Sequence, residues 1–173
     1  MNRQAQLASL LDGGTSIIIT GGRGAGKSTL AASAADLCRS PVGGVVSIRS
    51  GDGYRLDHYP TGEQHLYCTT EAHQLNDPDA VQLTRRFWFS PGVFSWACNR
   101  ISQDISSGRR IILLDEIGPV ELQNRGFYDM IRPDRRNREV TFLLVVREEL
   151  LEQICSLFQL QHCSIHTVRN DHE

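Results

Sequence analysis

Short apolar runs separated by glycine, proline and polar turns set the pattern of the chain. Ser16 to Thr20 is a β-branched run, followed at once by a glycine-rich turn and an alanine-rich stretch from Thr29 to Cys38, which predicts strand, loop and helix. From Gly44 the runs VVSIRS, YRLDHY and QHLYCTT are divided by Asp52-Gly53 and Pro60-Thr61-Gly62, the punctuation of a hairpin-linked meander. Phe87-Trp88-Phe89 predicts a strand. Ser90-Pro91 then supplies an N-cap and a first-turn proline for a helix running to about Ser107, with Gly108 as its stop. Arg110 to Leu114 is a continuous apolar strand ending in Asp115-Glu116. Thr141 to Val146 is another, followed by a helix to about Leu157, and a last strand is expected near Ser164 to Val168.

Continuous apolar strands alternating with helices are buried on both faces, so the pattern predicts an α/β fold. Its central sheet is mostly parallel and flanked by helices on both faces, with an antiparallel hairpin extension at one edge. A length of 173 residues with 40% hydrophobic content suits one domain spanning 1–173 with a full apolar core.

The net charge of −2 offers no general pull toward nucleic acid or anionic membrane, so any polyanion must be held by a local site. Five scattered cysteines, Cys38, Cys68, Cys98, Cys155 and Cys163, contain no CxxC pair and predict reduced thiols in a cytoplasmic protein. His65 with Cys68, and His162 with Cys163 and His166, lack the spacing of structural zinc sites. The residues after Met1 contain no apolar targeting core, and no run of 18 apolar residues occurs, so neither a signal peptide nor a membrane span is expected.

Gly21-Gly22-Arg23-Gly24-Ala25-Gly26-Lys27-Ser28 matches GxxxxGK[ST] and lies between a predicted strand and a predicted helix, the context a phosphate-binding P-loop requires. Small residues let the backbone curl so that its N–H groups surround phosphate oxygens at the positive end of the helix. Lys27 is placed to reach the β and γ phosphates and Ser28 to ligate Mg²⁺, with Thr29 next on the helix. A glycine-rich turn that binds nothing would have no use for lysine and serine at those offsets. Asp115 is expected at the end of a strand beside the P-loop strand, where it would hold Mg²⁺ as a Walker B aspartate. Glu116 follows it toward the crevice at the carboxyl ends of the strands, placed to orient or deprotonate a water. The competing reading is an ordinary acidic pair leaving a strand.

Ile111-Ile112-Leu113-Leu114-Asp115-Glu116-Ile117-Gly118, followed by Glu121-Leu122 and Phe127, resembles the DEIG segment of the archaeal-type (cancer-related) nucleoside triphosphatases. Val42-Gly43-Gly44-Val45-Val46 leading to Arg49 and a hairpin is similar to that family, and the likeness spans most of the chain. Thr167-Val168-Arg169-Asn170-Asp171 is similar to its C-terminal strand with two residues in changed order. Pro119 and Val120 depart from the usual lysine and methionine, and Arg85-Arg86-Phe87-Trp88-Phe89 replaces a glycine-rich approach to the middle strand. The resemblance implies Mg²⁺-dependent hydrolysis of nucleoside triphosphates to diphosphates with loose base selectivity. It also implies a second nucleotide-contacting stretch from Ile111 to Gly118.

Phosphoryl transfer gains from a further arginine, and Arg23, Arg49 and Arg86 are the candidates. Trp88 and Trp96 with Phe87, Phe89 and Phe94 are aromatic enough to stack a base, though core packing is their commoner use. The four arginines of Arg132 to Arg138 have no interleaved aromatics, which argues for a solvated loop and against a nucleic-acid patch. Two other functions share the P-loop: a nucleotide or small-molecule kinase, for which Arg132 to Arg138 could be the lid, and a slow GTP-binding adaptor for cofactor delivery. The absence of an NKxD segment weakens the second. No residue names a protein partner.

Overall fold

The computed structural model describes residues 2–169. In chain order the elements are α1 (Arg3–Asp12), β1 (Ile17–Gly21), α2 (Lys27–Asp36), β2 (Val42–Ser50), β3 (Gly53–His58), β4 (Gln64–Thr69), β5 (Val81–Gln82) and β6 (Trp88–Phe89). There follow α3 (Pro91–Ser106), β7 (Ile111–Ile117), α4 (Tyr128–Ile131), β8 (Thr141–Arg147), α5 (Leu151–Leu157) and β9 (Ser164–Val168). All nine strands form one sheet in the order β5-β6-β4-β3-β2-β7-β8-β1-β9. The pairs from β2 through β9 are parallel, and those from β2 through β5 are antiparallel.

The meander therefore extends the sheet through β2, which pairs in parallel with β7 on one side and antiparallel with β3 on the other. One expectation is corrected: β7 does not lie beside β1. The run Thr141 to Arg147 enters between them as β8, in register with both. Its side chains are buried on both faces from Thr141 to Val146, so it belongs in the middle of a covered sheet.

Alternation along the strands divides the core in two. Ile17, Ile19, Ile111, Leu113, Leu143 and Val145 face α1 and α2, where Leu7, Leu11, Leu30, Ala31 and Ala34 cover them. Ile18, Ile112, Leu114, Phe142, Leu144 and Val146 face α3 and α5, meeting Phe94, Ala97, Ile101, Ile154 and Phe158. The alanines of α2 let that helix lie close to the sheet and so fix the P-loop at its start.

Helix α1 escapes the apolar pattern because its buried stripe is only Leu7, Ala8 and Leu11. Its local signal is Asn2, whose side chain accepts from the Ala5 N–H at 2.9 Å as an N-cap. Helix α3 follows its expectation: Ser90 Oγ accepts from Val93 N–H at 3.1 Å, with Pro91 in the first turn. At Gly44, φ is +105° and an added Cβ would stand 2.0 Å from the Leu113 carbonyl oxygen, so only glycine lets β2 approach β7 there. The Arg132–Arg138 stretch precedes β8 and so lies at the edge of the sheet opposite the P-loop. There Arg132 pairs with Asp129 and Asp134, and Arg136 donates to the Phe158 carbonyl, which removes it as a lid over the phosphates. The resemblance at Asn170-Asp171 lies outside the described residues.

Candidate active site

The P-loop turns from β1 into α2 through Gly21, Gly24 and Gly26, all at positive φ, of +148°, +74° and +86°. An added Cβ at Gly21 would stand 2.3 Å from the Val168 carbonyl oxygen, so that glycine lets β9 close against β1. Gly26 occupies the N-cap position of α2 without a side-chain cap, which leaves the first N–H groups of the helix for an anion. Lys27 is buried at 8% exposure, and its Nζ donates to the Gly22 carbonyl at 2.8 Å. This bond spans the loop and holds the ammonium over its mouth. Arg23, Gly24, Gly26, Lys27, Ser28 and Thr29 line a cavity of about 810 Å³, whereas Gly21, Gly22 and Ala25 shape the turn from behind.

Asp115 is 1% exposed, and neither of its carboxylate oxygens has a hydrogen-bond partner. Burial pushes its pKa up to about 7, against the lowering influence of the Ser28 hydroxyl and the Lys27 ammonium and with a raising push from Glu116. A buried carboxylate with two open oxygens is costly unless something charged completes it. A hard divalent cation with its water shell fits this donor set, a carboxylate with a hydroxyl close by.

Glu116 departs from the strand register. Asp115 pairs with Val145 and Ile117 with Val146, so Glu116 is the extra residue of a bulge that re-aims its side chain into the cavity. Its Oε1 accepts from Nε of Arg147, the last residue of β8. Arg147 is the functional candidate the sequence reading missed. The available signal was an arginine ending an apolar strand, which places it at the same crevice as the acidic pair.

The segment after β7 is held by Glu121, which is 2% exposed. Its two oxygens accept from Gly118 N–H at 2.8 Å and Phe127 N–H at 3.0 Å, closing the loop that borders the cavity. Burial pushes its pKa up to about 7 against those backbone donors. A carboxyl raised above its unfolded value keeps its proton in the folded state, so its contribution to stability is fully present below the unfolded pKa. That contribution falls as pH rises through the interval up to about 7. Thermal melts of the metal-free chain at pH 5 and pH 8 are expected to show it. The stability advantage of wild type over Glu121→Gln should shrink at the higher pH by on the order of 1–3 kcal/mol, and an unchanged difference would refute the titration.

Of the other sequence candidates, Arg23 and Arg86 line the cavity, while Arg49 stands exposed opposite Tyr54 and does not. Phe87, Phe89 and Phe94 reach the cavity, joined by Tyr54 and Tyr67 from the meander. Trp88 and Trp96 do not line it, and Trp96 instead donates its indole N–H to Glu63 Oε1 at 3.0 Å. Within the stretch Ile111 to Gly118, Ile111 to Leu114 and Ile117 bury their side chains in the two cores. Glu116 and Gly118 line the cavity, and Asp115 lies buried beside Ser28.

A strand–glycine loop–helix unit at the carboxyl edge of a largely parallel sheet, with an acidic pair on a neighbouring strand, defines the class of P-loop nucleotide-binding proteins. A family model described as NTPase matches residues 16–172, and the chain belongs to that family and is a nucleoside-triphosphate hydrolase. The fold is similar to the crystal structure of THEP1 from the hyperthermophile Aquifex aeolicus, at 20% sequence identity and a TM-score of 0.70. The likeness covers 90% of this chain and 91% of that one. No curated protein sequence matches the chain.

Proposed function

We propose that the chain hydrolyses nucleoside triphosphates to diphosphates and phosphate with Mg²⁺ and with loose base selectivity. The observation that carries the metal part is Asp115, a carboxylate buried beside Ser28 with both oxygens unpartnered. Lys27 and the uncapped start of α2 would bind the β and γ phosphates, and Ser28 and Asp115 would hold the metal. The metal, when bound, neutralises charge on the phosphates. Glu116 orients a water on the far side of the terminal phosphate and takes its proton, while Arg147 holds the Glu116 carboxylate in the cavity. Loose selectivity is supported by the aromatic rings of Tyr54, Phe87 and Phe89 in the lining of the same cavity, because ring stacking takes any base.

Among the described residues no helix is long and apolar enough to cross a membrane. The five free cysteines support a reducing, cytoplasmic location.

Asp115→Asn tests the metal assignment. It keeps the shape but removes the charge, so half-maximal activity should need about 10–100-fold more Mg²⁺. An unchanged Mg²⁺ titration would contradict the role.

A further inference from the structure

We propose that Arg147 is a catalytic residue in its own right: while its Nε holds Glu116, its two terminal nitrogens take oxygens of the phosphoryl group being transferred. This rests on the triphosphatase reading above.

The register of the sheet places the arginine. Strand β8 lies between β1 and β7, and Arg147, its last residue, pairs with Gly21, the first residue of the P-loop. Neighbouring strands lie about 4.8 Å apart, so its Cα stands about one strand spacing from the start of the loop that would hold the phosphates. On the other side Val146 pairs with Ile117, so Arg147 also lies one residue beyond the bulge at Glu116. One side chain is thereby set between the phosphate loop and the residue assigned to the attacking water, and it lines the same cavity as both.

A guanidinium carries five N–H donors, one on Nε and four on the terminal nitrogens. In Arg147 only Nε is engaged, by Glu116 Oε1, and among the described residues neither terminal nitrogen has a hydrogen-bond acceptor. The group is planar and rigid, so fixing Nε on the carboxylate also fixes the direction of the other four donors. A fork aimed before the substrate arrives needs no reorganisation as charge develops, which is what makes fixed donors effective in phosphoryl transfer. The ion pair alone gives no reason for arginine here. A partly exposed pair contributes about 0–1 kcal/mol, and a lysine would supply the same charge.

The other arginines of the cavity lack this restraint. Arg23, Arg85 and Arg86 are exposed, and the Arg86 guanidinium lies over the Phe87 ring, 5.2 Å from its centroid. Each would have to be immobilised from solvent, at a cost in side-chain entropy of up to about 2 kcal/mol.

In hydrolysis the water oxygen bonds to the γ phosphorus as the bond from that phosphorus to the β,γ-bridging oxygen breaks. The water proton passes to Glu116, and the bridging oxygen leaves on the diphosphate. The non-bridging oxygens carry the spread charge of the transition state, and they are the acceptors for the Arg147 fork.

The test separates a direct role from one exercised through Glu116. Single-turnover phosphate release from ATP with Mg²⁺ is measured for wild type, Glu116→Gln, Arg147→Ala, Arg147→Lys and the double variant Glu116→Gln with Arg147→Ala. The affinities of ADP alone and of ADP with aluminium fluoride, a mimic of the transferring phosphoryl group, are measured beside it. Arg147→Ala is expected to slow release by about 10³-fold, the lower end for an arginine acting on phosphoryl transfer. Arg147→Lys keeps the charge but not the fork and is expected to stay at least about tenfold below wild type, which reports on the fork whether or not the alanine variant folds. In the Glu116→Gln background, Arg147→Ala is expected to slow release and weaken the aluminium fluoride complex at least about tenfold further, with ADP affinity unchanged. An arginine that only positions Glu116 would leave the double variant within tenfold of Glu116→Gln, which would overturn the proposal. Equal losses of ADP and aluminium fluoride affinity, or Arg147→Lys within tenfold of wild type, would overturn it too. A wild-type chain that binds no triphosphate would instead overturn the underlying reading.

Discussion

Lys27→Ala is expected to lose about 10²-fold or more in triphosphate affinity while the chain stays folded. The ammonium is fixed across the loop mouth by its bond to the Gly22 carbonyl, and charge-assisted bonds to phosphate contribute about 1.5–3 kcal/mol each. A loss of 2.7 kcal/mol is about a hundredfold in Kd. The fold survives because residue 27 opens α2, where alanine is a strong helix former, and because an unpaired Gly22 carbonyl on an accessible loop is satisfied by water. Calorimetric titration with Mg²⁺ and nucleotide, beside a thermal melt, reads both quantities. A folded variant with wild-type affinity would remove the phosphate role from the loop.

Glu116→Gln is expected to separate binding from chemistry. The amide keeps an oxygen to accept from Arg147 but cannot take a proton, so the triphosphate still binds with Mg²⁺ while hydrolysis falls by roughly 10² to 10⁴. Were Glu116 only an ion-pair partner for Arg147, itself partly exposed, the substitution would cost little, since such pairs contribute about 0–1 kcal/mol. Single-turnover phosphate release on the variant decides between the two. A fall of less than about tenfold would move the proton acceptor elsewhere.

Much of this site was legible because local rules govern it. The P-loop advertises itself through glycines at positive φ and a lysine and serine at fixed offsets, and the Asp115-Glu116 pair follows an apolar run whose length marks a strand. The meander was legible from its turn residues, and β9 was expected near Ser164 to Val168, where it lies. The position of β8 was not, because both Arg110 to Leu114 and Thr141 to Val146 read as continuous apolar strands, and nothing in either run states which one touches β1. Arg147 was hidden for the same reason, since its value depends on β8 ending beside β7. The bulge at Glu116 is a register event between two strands distant in sequence, and Tyr54 with Tyr67 reach the cavity only because the hairpins reverse direction. Helix α1 carried too narrow an apolar stripe to show above the background.

The central claim, that this P-loop site hydrolyses nucleoside triphosphates with Mg²⁺ and little regard for the base, is tested most directly by inorganic phosphate release from ATP, GTP, CTP and UTP. Each is followed with Mg²⁺ and again with excess chelator. The account predicts release from all of them at rates within about tenfold of one another, a spread that amounts to no more than about 1.4 kcal/mol of discrimination, and loss of release in chelator. Full activity in chelator, or release from a single nucleotide only, would contradict it.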